Sequence, residues 1–303
     1  MTLPERPLLA VNPVAGPWWR RRELPDLLES FRRRFPRGKV LVTSRSGPAL
    51  SREAIPADTD LLVVKGGDGT VHRIIQDPLP SGLPVLVLPG GTGNVLSRFL
   101  NVPPAPEEIW TQLRNSRICR IRPGKVGQRL FLIMAGIGWD GHAADNVSGK
   151  WLLGPVAYYM AGFRALLSPG LPRFSVRITT PTGAERSFDH VLWCLASRLP
   201  PYIGPFSVQT RETPDQDTLT VTLISGSRLG IPLAFASFLP GVPPFIPGIQ
   251  FQAHSLTISS SPDPSRASAS EEIPIQADGE SVPFSPTISV SCDSLSFLYF
   301  PQG

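Results

Sequence analysis

The chain has 303 residues, of which 41% are hydrophobic; this is typical of a globular protein long enough for a substantial core and two domains. Its net charge of +5 comes mostly from arginine, which favours an anionic partner such as phosphates, a membrane surface or nucleic acid. Prolines within residues 231–249 exclude a spanning helix there, and Cys119, Cys194 and Cys292, odd in number and far apart, indicate reduced thiols in a cytosolic protein.

The first predicted element is a short strand at residues 8–11, followed by a turn of small residues at 12–16. A basic helix comes next, and near its start stand Trp18, Trp19, Arg20, Arg21 and Arg22. This cluster either rests on an anionic membrane or belongs to a solvated helix with one buried tryptophan.

A second strand is predicted at residues 40–43 and a helix at residues 49–54. The most informative stretch, residues 61–75, then joins four apolar residues to a turn of three glycines around Asp68, and apolar positions at helical spacing follow. A strand, a glycine turn and a helix start form the arrangement that binds phosphate. Asp68 among phosphate-facing amides makes most sense with a divalent cation, and at a turn we expect it to be dispensable for folding; the alternative is a helix N-cap.

A fourth strand at residues 84–89 ends in a second glycine-rich turn, residues 90–94, and a helix follows at 95–100. In a parallel sheet such turns share the carboxyl edge, where ligands bind. Two glycine-rich turns on neighbouring strands, with the small-residue turn at 12–16 upstream, favour a nucleotide site more strongly than either turn alone.

Beyond a helix at residues 107–113 the pattern changes to short alternating segments, which predict an antiparallel sandwich. The predicted strands are residues 118–121, 130–135, 174–178, 188–196, 219–224 and 255–258. A helix at 154–167 interrupts them, with one apolar face formed by Val156, Tyr159, Met160, Phe163 and Leu167. Near the end, Asp278-Gly279-Glu280 follows a strand, which by itself is an ordinary hairpin signal.

Together these motifs resemble the diacylglycerol kinase catalytic family, which includes sphingosine kinases and bacterial lipid kinases. The resemblance rests on residues 12–16, 66–70 and 89–94, on Gly136-Ile137-Gly138-Trp139-Asp140 with residues 154–159, and on residues 278–280. It implies an α/β N-terminal domain with a parallel, Rossmann-like nucleotide-binding sheet at residues 1–117. A C-terminal antiparallel β-sandwich for the lipid would occupy residues 118–303, and its last strand, at about 291–300, could return to the first domain.

The resemblance also implies site residues. Catalytic roles would fall to Glu280 as proton acceptor, to Asp278, which would support Glu280 or help to hold the catalytic Mg²⁺, and to Asp68. The ATP contacts would be Asn12, Pro13, Val14, Ala15, Gly16, Thr43, Gly66, Gly67, Asp68, Gly69, Thr70, Val71, His72, Gly91, Thr92, Gly93 and Asn94.

The implied cofactors are ATP and Mg²⁺. A structural Mg²⁺ in this family usually involves an Asp-Gly pair, whereas this chain has Thr218 after Asp217. Asp217 would then bind the ion with the carbonyl oxygens of Pro214 and Leu219, and we expect weak binding. His72 and Val95 also depart from the family, which commonly has Asn and Asp at those positions.

The chemistry that follows is phosphoryl transfer from ATP to a lipid hydroxyl, such as diacylglycerol or a sphingoid base. Two alternatives stay open: a small-molecule kinase resembling NAD kinase, and a nucleotide- or lipid-binding protein without catalysis. The expected partner is a lipid at a membrane surface that a cytoplasmic, peripheral protein visits; nucleic acid is not expected, and a homodimer stays open.

Overall fold

The computed structural model describes residues 3–16, 22–43, 50–145, 155–168, 171–200, 206–208, 213–239, 250–260 and 273–301, with the backbone alone at 155–159 and 235. The chain divides into two compact units. The first consists of Met1–Ile121 and Ser294–Gly303, and the second of Arg122–Asp293.

The first unit contains a six-stranded sheet in the order β2-β1-β3-β4-β17-β5. Its strands are β1 Pro7–Val11, β2 Lys39–Val42, β3 Leu61–Gly66, β4 Val85–Pro89, β5 Arg117–Ile121 and β17 Leu295–Tyr299. The first four strands pair in parallel, and every residue of β1 is buried. Continuous apolar burial is what a sheet covered on both faces requires. The predicted parallel α/β sheet is therefore confirmed.

Where the first unit is described, four α-helices accompany this sheet: α1 Leu24–Arg34, α2 Asp68–Ile74, α3 Val95–Phe99 and α4 Pro106–Gln112. Helix α1 buries Leu27 and Phe31 in the core, while Arg32, Arg33 and Arg34 in its last turn are exposed. The helix predicted at residues 49–54 is only one 3₁₀ turn, Arg52–Ala54. Trp18, Trp19, Arg20 and Arg21 lie outside the described residues.

Strand β5 corrects the prediction that residues 118–121 open the sandwich. Arg117–Ile121 pairs antiparallel with Leu295–Tyr299, and both strands lie in the first sheet. The division between the units accordingly falls after Ile121 rather than after residue 117. An alternating segment pairs equally well with any edge strand, and here the final segment of the chain supplies that edge.

The second unit contains an eleven-stranded antiparallel sheet. Its strands are β6 Gly124–Val126, β7 Arg129–Phe131, β8 Met134–Gly138, β9 Phe174–Thr179, β10 Glu185–Ser197, β11 Leu219–Ser225, β12 Gln250–Ala253, β13 Ser255–Ser260, β14 Ile275–Ala277, β15 Glu280–Val282 and β16 Thr287–Val290. The long β10 pairs with β9, β8 and β11, so the strands form one continuous sheet. Buried residues from ten of these strands share one core, as expected of a sheet that folds over itself.

The strand predicted at residues 130–135 is two strands. It breaks between Phe131 and Met134, and the backbone N–H groups of residues 132 and 133 donate instead to a distant carboxylate, that of Asp278. These tertiary hydrogen bonds replace strand pairing at residues 132 and 133. The alternation of apolar residues does not reveal them.

The described residues of the second unit form three helices, α5 Trp139–Asp145, α6 Pro155–Leu167 and α7 Gly230–Ser237. The predicted apolar face of α6 points to solvent where it is described, because the exposed fractions of Met160, Phe163 and Leu167 are 46%, 63% and 64%. Among residues 160–167 of this helix, the small residues Ala161, Gly162 and Ala165 are buried. Among the described residues no helix is long and apolar enough to cross a membrane.

Cys119, Cys194 and Cys292, all within the described residues, form no disulfide. Complete burial raises the pKa of the Cys194 thiol well above its ordinary value. That thiol is part of the core of the second unit.

Candidate active site

Three turns meet at one edge of the first sheet. They follow β1, β3 and β4, which are neighbours in the strand order and pair in parallel. Residues 12–16, 66–70 and 90–94 therefore lie at the carboxyl ends of adjacent strands, as the sequence predicts.

Glycines let these turns approach one another backbone to backbone. Gly16 has φ +68°, and a Cβ there would lie 2.3 Å from the carbonyl oxygen of Gly90. A Cβ on Gly91 would lie 2.5 Å from the Cα of Gly67. A side chain at these positions would push the turns apart, so part of the glycine requirement comes from the contact between turns rather than from a ligand.

Two asparagines hold the turns in register. Asn12 accepts a hydrogen bond from the N–H of Val14 (3.1 Å) and donates from Nδ2 to Oγ1 of Thr70 (2.9 Å), which joins the first turn to α2. Asn94 adopts the left-handed conformation, and its amide bonds both the N–H and the carbonyl of Gly91. Asn12 therefore joins two turns, and Asn94 holds the shape of its own turn.

Asp68 is bound to the start of the next helix. Its two carboxylate oxygens accept hydrogen bonds from the N–H groups of Val95 (3.1 Å) and Leu96 (3.0 Å), the first two residues of α3. Charge-assisted capping satisfies donors that a helix start leaves unpaired. Asp68 therefore ties the second turn to the third, and these bonds lead us to expect that it contributes to folding, contrary to the expectation from sequence; it caps α3 rather than its own helix.

The predicted nucleotide residues differ in exposure. Thr92 and Gly93 are exposed at the tip of the third turn, and residues 12–16 are half-buried. Thr43, Thr70, Val71 and His72 are buried. The Thr43 hydroxyl donates to the carbonyl of Val11, which is a role in positioning the strand end.

In the second unit, Asp278 and Gly279 form the two-residue turn between β14 and β15. Both have positive φ, 50° and 83°, as in the hairpin turn that Asp-Gly commonly forms. The Asp278 carboxylate accepts hydrogen bonds from the N–H groups of Leu132, Ile133 and Met134 (2.8, 2.8 and 3.1 Å). Asp278 is thus an anchor that fixes the turn to the break between β7 and β8.

A buried polar pair, Gln276 and Asp140, supports the same hairpin. No sequence motif pointed to Gln276. Gln276, 2% exposed, donates to Oδ2 of Asp140 (2.8 Å) and accepts from the N–H of Gly279 (2.7 Å). The closeness of Asp140 leaves no space for a Cβ at Gly136, which explains the glycine in the motif at 136–140. Glu280 follows directly as the first residue of β15 and is half-buried.

The loop at residues 214–219 does not fit the implied metal. The Pro214 carbonyl accepts hydrogen bonds from Arg198 Nη2 (2.6 Å) and from the N–H of Arg122 (2.9 Å). The Asp217 side chain is 62% exposed and lies 3.7 Å from Nδ1 of His254. Within the described parts of the chain, no three His, Cys, Asp or Glu side chains cluster as a metal site would require.

Comparison with known proteins agrees with this geometry. Residues 6–126, which contain all three turns, match the family described as diacylglycerol kinase catalytic domain. This match covers less than half of the chain and shows what that part of the chain is similar to.

Curated relatives carry the same family name. The diacylglycerol kinases of Staphylococcus carnosus and Staphylococcus haemolyticus are each 27% identical to the chain over 180 and 173 residues. These matches cover 57% and 55% of this chain, and they span only 58% and 52% of the relatives.

The fold of the whole chain has solved counterparts. A diacylglycerol kinase structure from Bacillus anthracis superposes with a TM-score of 0.76 at 23% identity and covers 99% of both chains. At this identity the likeness shows the fold. The chain therefore has a known fold.

Proposed function

We propose that this protein is an ATP- and Mg²⁺-dependent lipid kinase that transfers the γ-phosphoryl group of ATP to a lipid hydroxyl. The observation that carries the proposal is the group of three interlocked turns on adjacent parallel strands, within the part of the chain that matches the diacylglycerol kinase catalytic domain. Phosphoryl transfer depends mainly on positioning and charge neutralisation, and turns fixed by mutual contacts supply the positioning.

The ATP phosphates would lie against the exposed part of these turns. Thr92 and Gly93 are exposed there, while Asn12, Asp68 and Asn94 hold the backbone that surrounds them. Mg²⁺ bound with ATP would neutralise charge on the transferred group. The bonds of Asp68 to two backbone N–H groups favour an indirect role for this carboxylate, through the shape of the site.

Glu280 is our candidate for the proton acceptor. It follows a turn in which both residues have positive φ. The Asp278 carboxylate and the Gln276–Asp140 pair hold this turn in place. A general base must be held in place within reach of the substrate hydroxyl. In the tripeptide 278–280, Asp278 provides the hold and Glu280 would provide the base.

We further propose that α6 and α7 contact the membrane that holds the lipid. Met160, Phe163 and Leu167 on α6, and Leu229 and Leu233 at α7, are exposed. The two helices are neighbours, because Arg228 donates to the carbonyl of Leu166 (3.2 Å). Residues 155–168 and 218–239 contain arginine but neither Asp nor Glu, which suits an anionic bilayer.

The deciding experiment is a radiolabelled ATP assay against diacylglycerol, sphingosine, phosphatidylglycerol and a polyprenol, with NAD as the acceptor for the alternative. We expect a labelled lipid product in the wild type. Glu280→Gln keeps the size of the side chain and removes its basicity, so kcat should fall about 10²- to 10⁴-fold while Tm and ATP affinity change little. Label transfer to NAD alone, or a Glu280→Gln variant with wild-type kcat, would contradict the proposal.

A further inference from the structure

The loop that the family resemblance assigns to a structural Mg²⁺ surrounds an arginine instead. Arg198 follows β10 and is only 2% exposed. Its guanidinium donates to four backbone carbonyls: Nε to Arg122 (2.8 Å), Nη2 to Pro214 (2.6 Å) and Gln216 (2.7 Å), and Nη1 to Thr218. A buried positive charge is thus surrounded by converging carbonyl dipoles.

This arrangement resembles a metal site, because carbonyl oxygens surround a positive charge. Divalent cations in proteins are held by carbonyl and carboxylate oxygens, and a buried charge is stable only where such groups replace its hydration. Arginine has five N–H donors in a fixed plane. Four carbonyls from two segments satisfy most of them. The loop 214–218 is therefore organised around a cation that the chain itself provides.

An ion and this guanidinium cannot share the loop. Both would use the Pro214 carbonyl, and since Mg²⁺ binds oxygen at about 2.1 Å, the two positive charges would lie at most about 4.7 Å apart, given the 2.6 Å contact of Nη2. Asp217, the carboxylate expected to bind the ion, is exposed and faces His254. Its carbonyl oxygen also lies 3.0 Å from Nδ1 of His254. Both oxygen-bearing groups of Asp217 are therefore near this histidine.

We propose that Arg198 replaces the structural divalent ion of the 214–219 loop, so that this loop is held by a covalently attached cation and needs no Mg²⁺. The departure at Thr218 then has a cause. A glycine is needed where a carbonyl must turn toward an ion, whereas here the Thr218 carbonyl is bonded to Arg198 and the side chain is buried. This inference concerns the loop alone and holds whichever acceptor the enzyme uses.

The first test measures the metal directly in the full chain without nucleotide. Thermal unfolding in EDTA and in millimolar Mg²⁺, at matched ionic strength, should give the same Tm. Crystals soaked in Mn²⁺ should show no anomalous peak at residues 214–219. Asp215 Oδ1 deserves particular inspection because it is buried and, among the described residues, has no hydrogen-bond partner. A Mn²⁺ peak on Asp215 or Asp217 would overturn the proposal.

The second test asks whether the cation stabilises the loop. Arg198→Met removes the charge and leaves four carbonyls without donors, so Tm should fall by roughly 5–15 °C. Arg198→Lys keeps the charge with three donors and should lie between Met and the wild type. Arg177→Met, at an exposed position of β9, is the matched control and should leave Tm unchanged.

The order of stability decides the outcome even if the Met variant fails to fold. A Lys variant that is clearly more stable than Met, or that folds where Met does not, supports a cation role. A Lys variant no better than Met, or a Met variant as stable as the Arg177→Met control, would mean that the charge is not what holds the loop. Neither measurement depends on kinase activity, so a failed lipid assay would leave this result unaffected.

Discussion

Replacing Asp68 with Asn should destabilise the first unit as well as impair catalysis. The carboxylate accepts the N–H groups of Val95 and Leu96, and Asn offers one acceptor oxygen and one donor amide. One helix N–H would therefore face another donor. Hydrogen bonds to charged groups contribute about 1.5–3 kcal/mol each; because Asp68 is half-buried, we expect the lower part, about 1.5–2 kcal/mol.

This loss corresponds to a fall in Tm of roughly 6–8 °C for a domain of this size. The assay is thermal unfolding followed by far-UV circular dichroism, with Asp26→Asn as control. Asp26 is exposed in the first turn of α1, so its substitution removes the same charge near a helix start and should leave tertiary hydrogen bonds intact. Asp26→Asn should change Tm by no more than about 2 °C.

Hydrogen exchange locates the effect, which matters because a chain of two units can unfold in more than one step. Peptides that cover residues 90–100 should exchange faster in Asp68→Asn, and peptides from the second unit should not. A Tm equal to that of the Asp26→Asn control, with unchanged exchange at the start of α3, would refute the capping role and return Asp68 to the status of a ligand-binding group only.

Three further outcomes follow from the site and its surroundings. Asp278→Asn should lower Tm by several degrees, since at least one of the three backbone N–H groups loses its acceptor; unchanged thermal unfolding would contradict the anchor. Gly91→Ala should cost about 1–3 kcal/mol of stability and weaken ATP binding, because its Cβ would lie 2.5 Å from a Cα of the neighbouring turn; calorimetry with wild-type affinity would show that the turns can separate freely. The double variant Phe163→Ser with Leu229→Ser should reduce co-sedimentation with phosphatidylglycerol vesicles at least about tenfold, whereas Phe284→Ser, also exposed, should not; equal loss in both would remove the helices as the membrane surface.

The sheet edge where the three turns meet could be predicted from the sequence because each of its signals is local. Residues 61–64 are apolar and form most of the strand Leu61–Gly66, and the turn follows where glycines flank Asp68. Parallel pairing then places neighbouring turns at the same edge without any further information. What the sequence hid is the use of Asp68, whose partners Val95 and Leu96 come from the next strand–turn–helix unit.

The second unit was harder to predict because its strands are short and their partners distant. Residues 118–121 alternate like a sandwich strand, yet they pair with Leu295–Tyr299 in the first sheet. Residues 130–135 look continuous, yet a carboxylate more than a hundred residues later interrupts them. Alternation determines which side chains are buried, but it does not determine which strand lies alongside.

Several charged groups of the motifs hold backbone. Asp68 accepts from two backbone N–H groups, Asp278 from three, and Arg198 donates to four carbonyls. A side chain that orders a turn in this way is poorly suited to exchange protons with a substrate, because every change in its charge would disturb the turn. Glu280 is set apart by its position: it begins a strand directly after a turn that three other residues fix. We therefore assign the proton transfer to Glu280 rather than to Asp278, whose carboxylate accepts three backbone N–H groups.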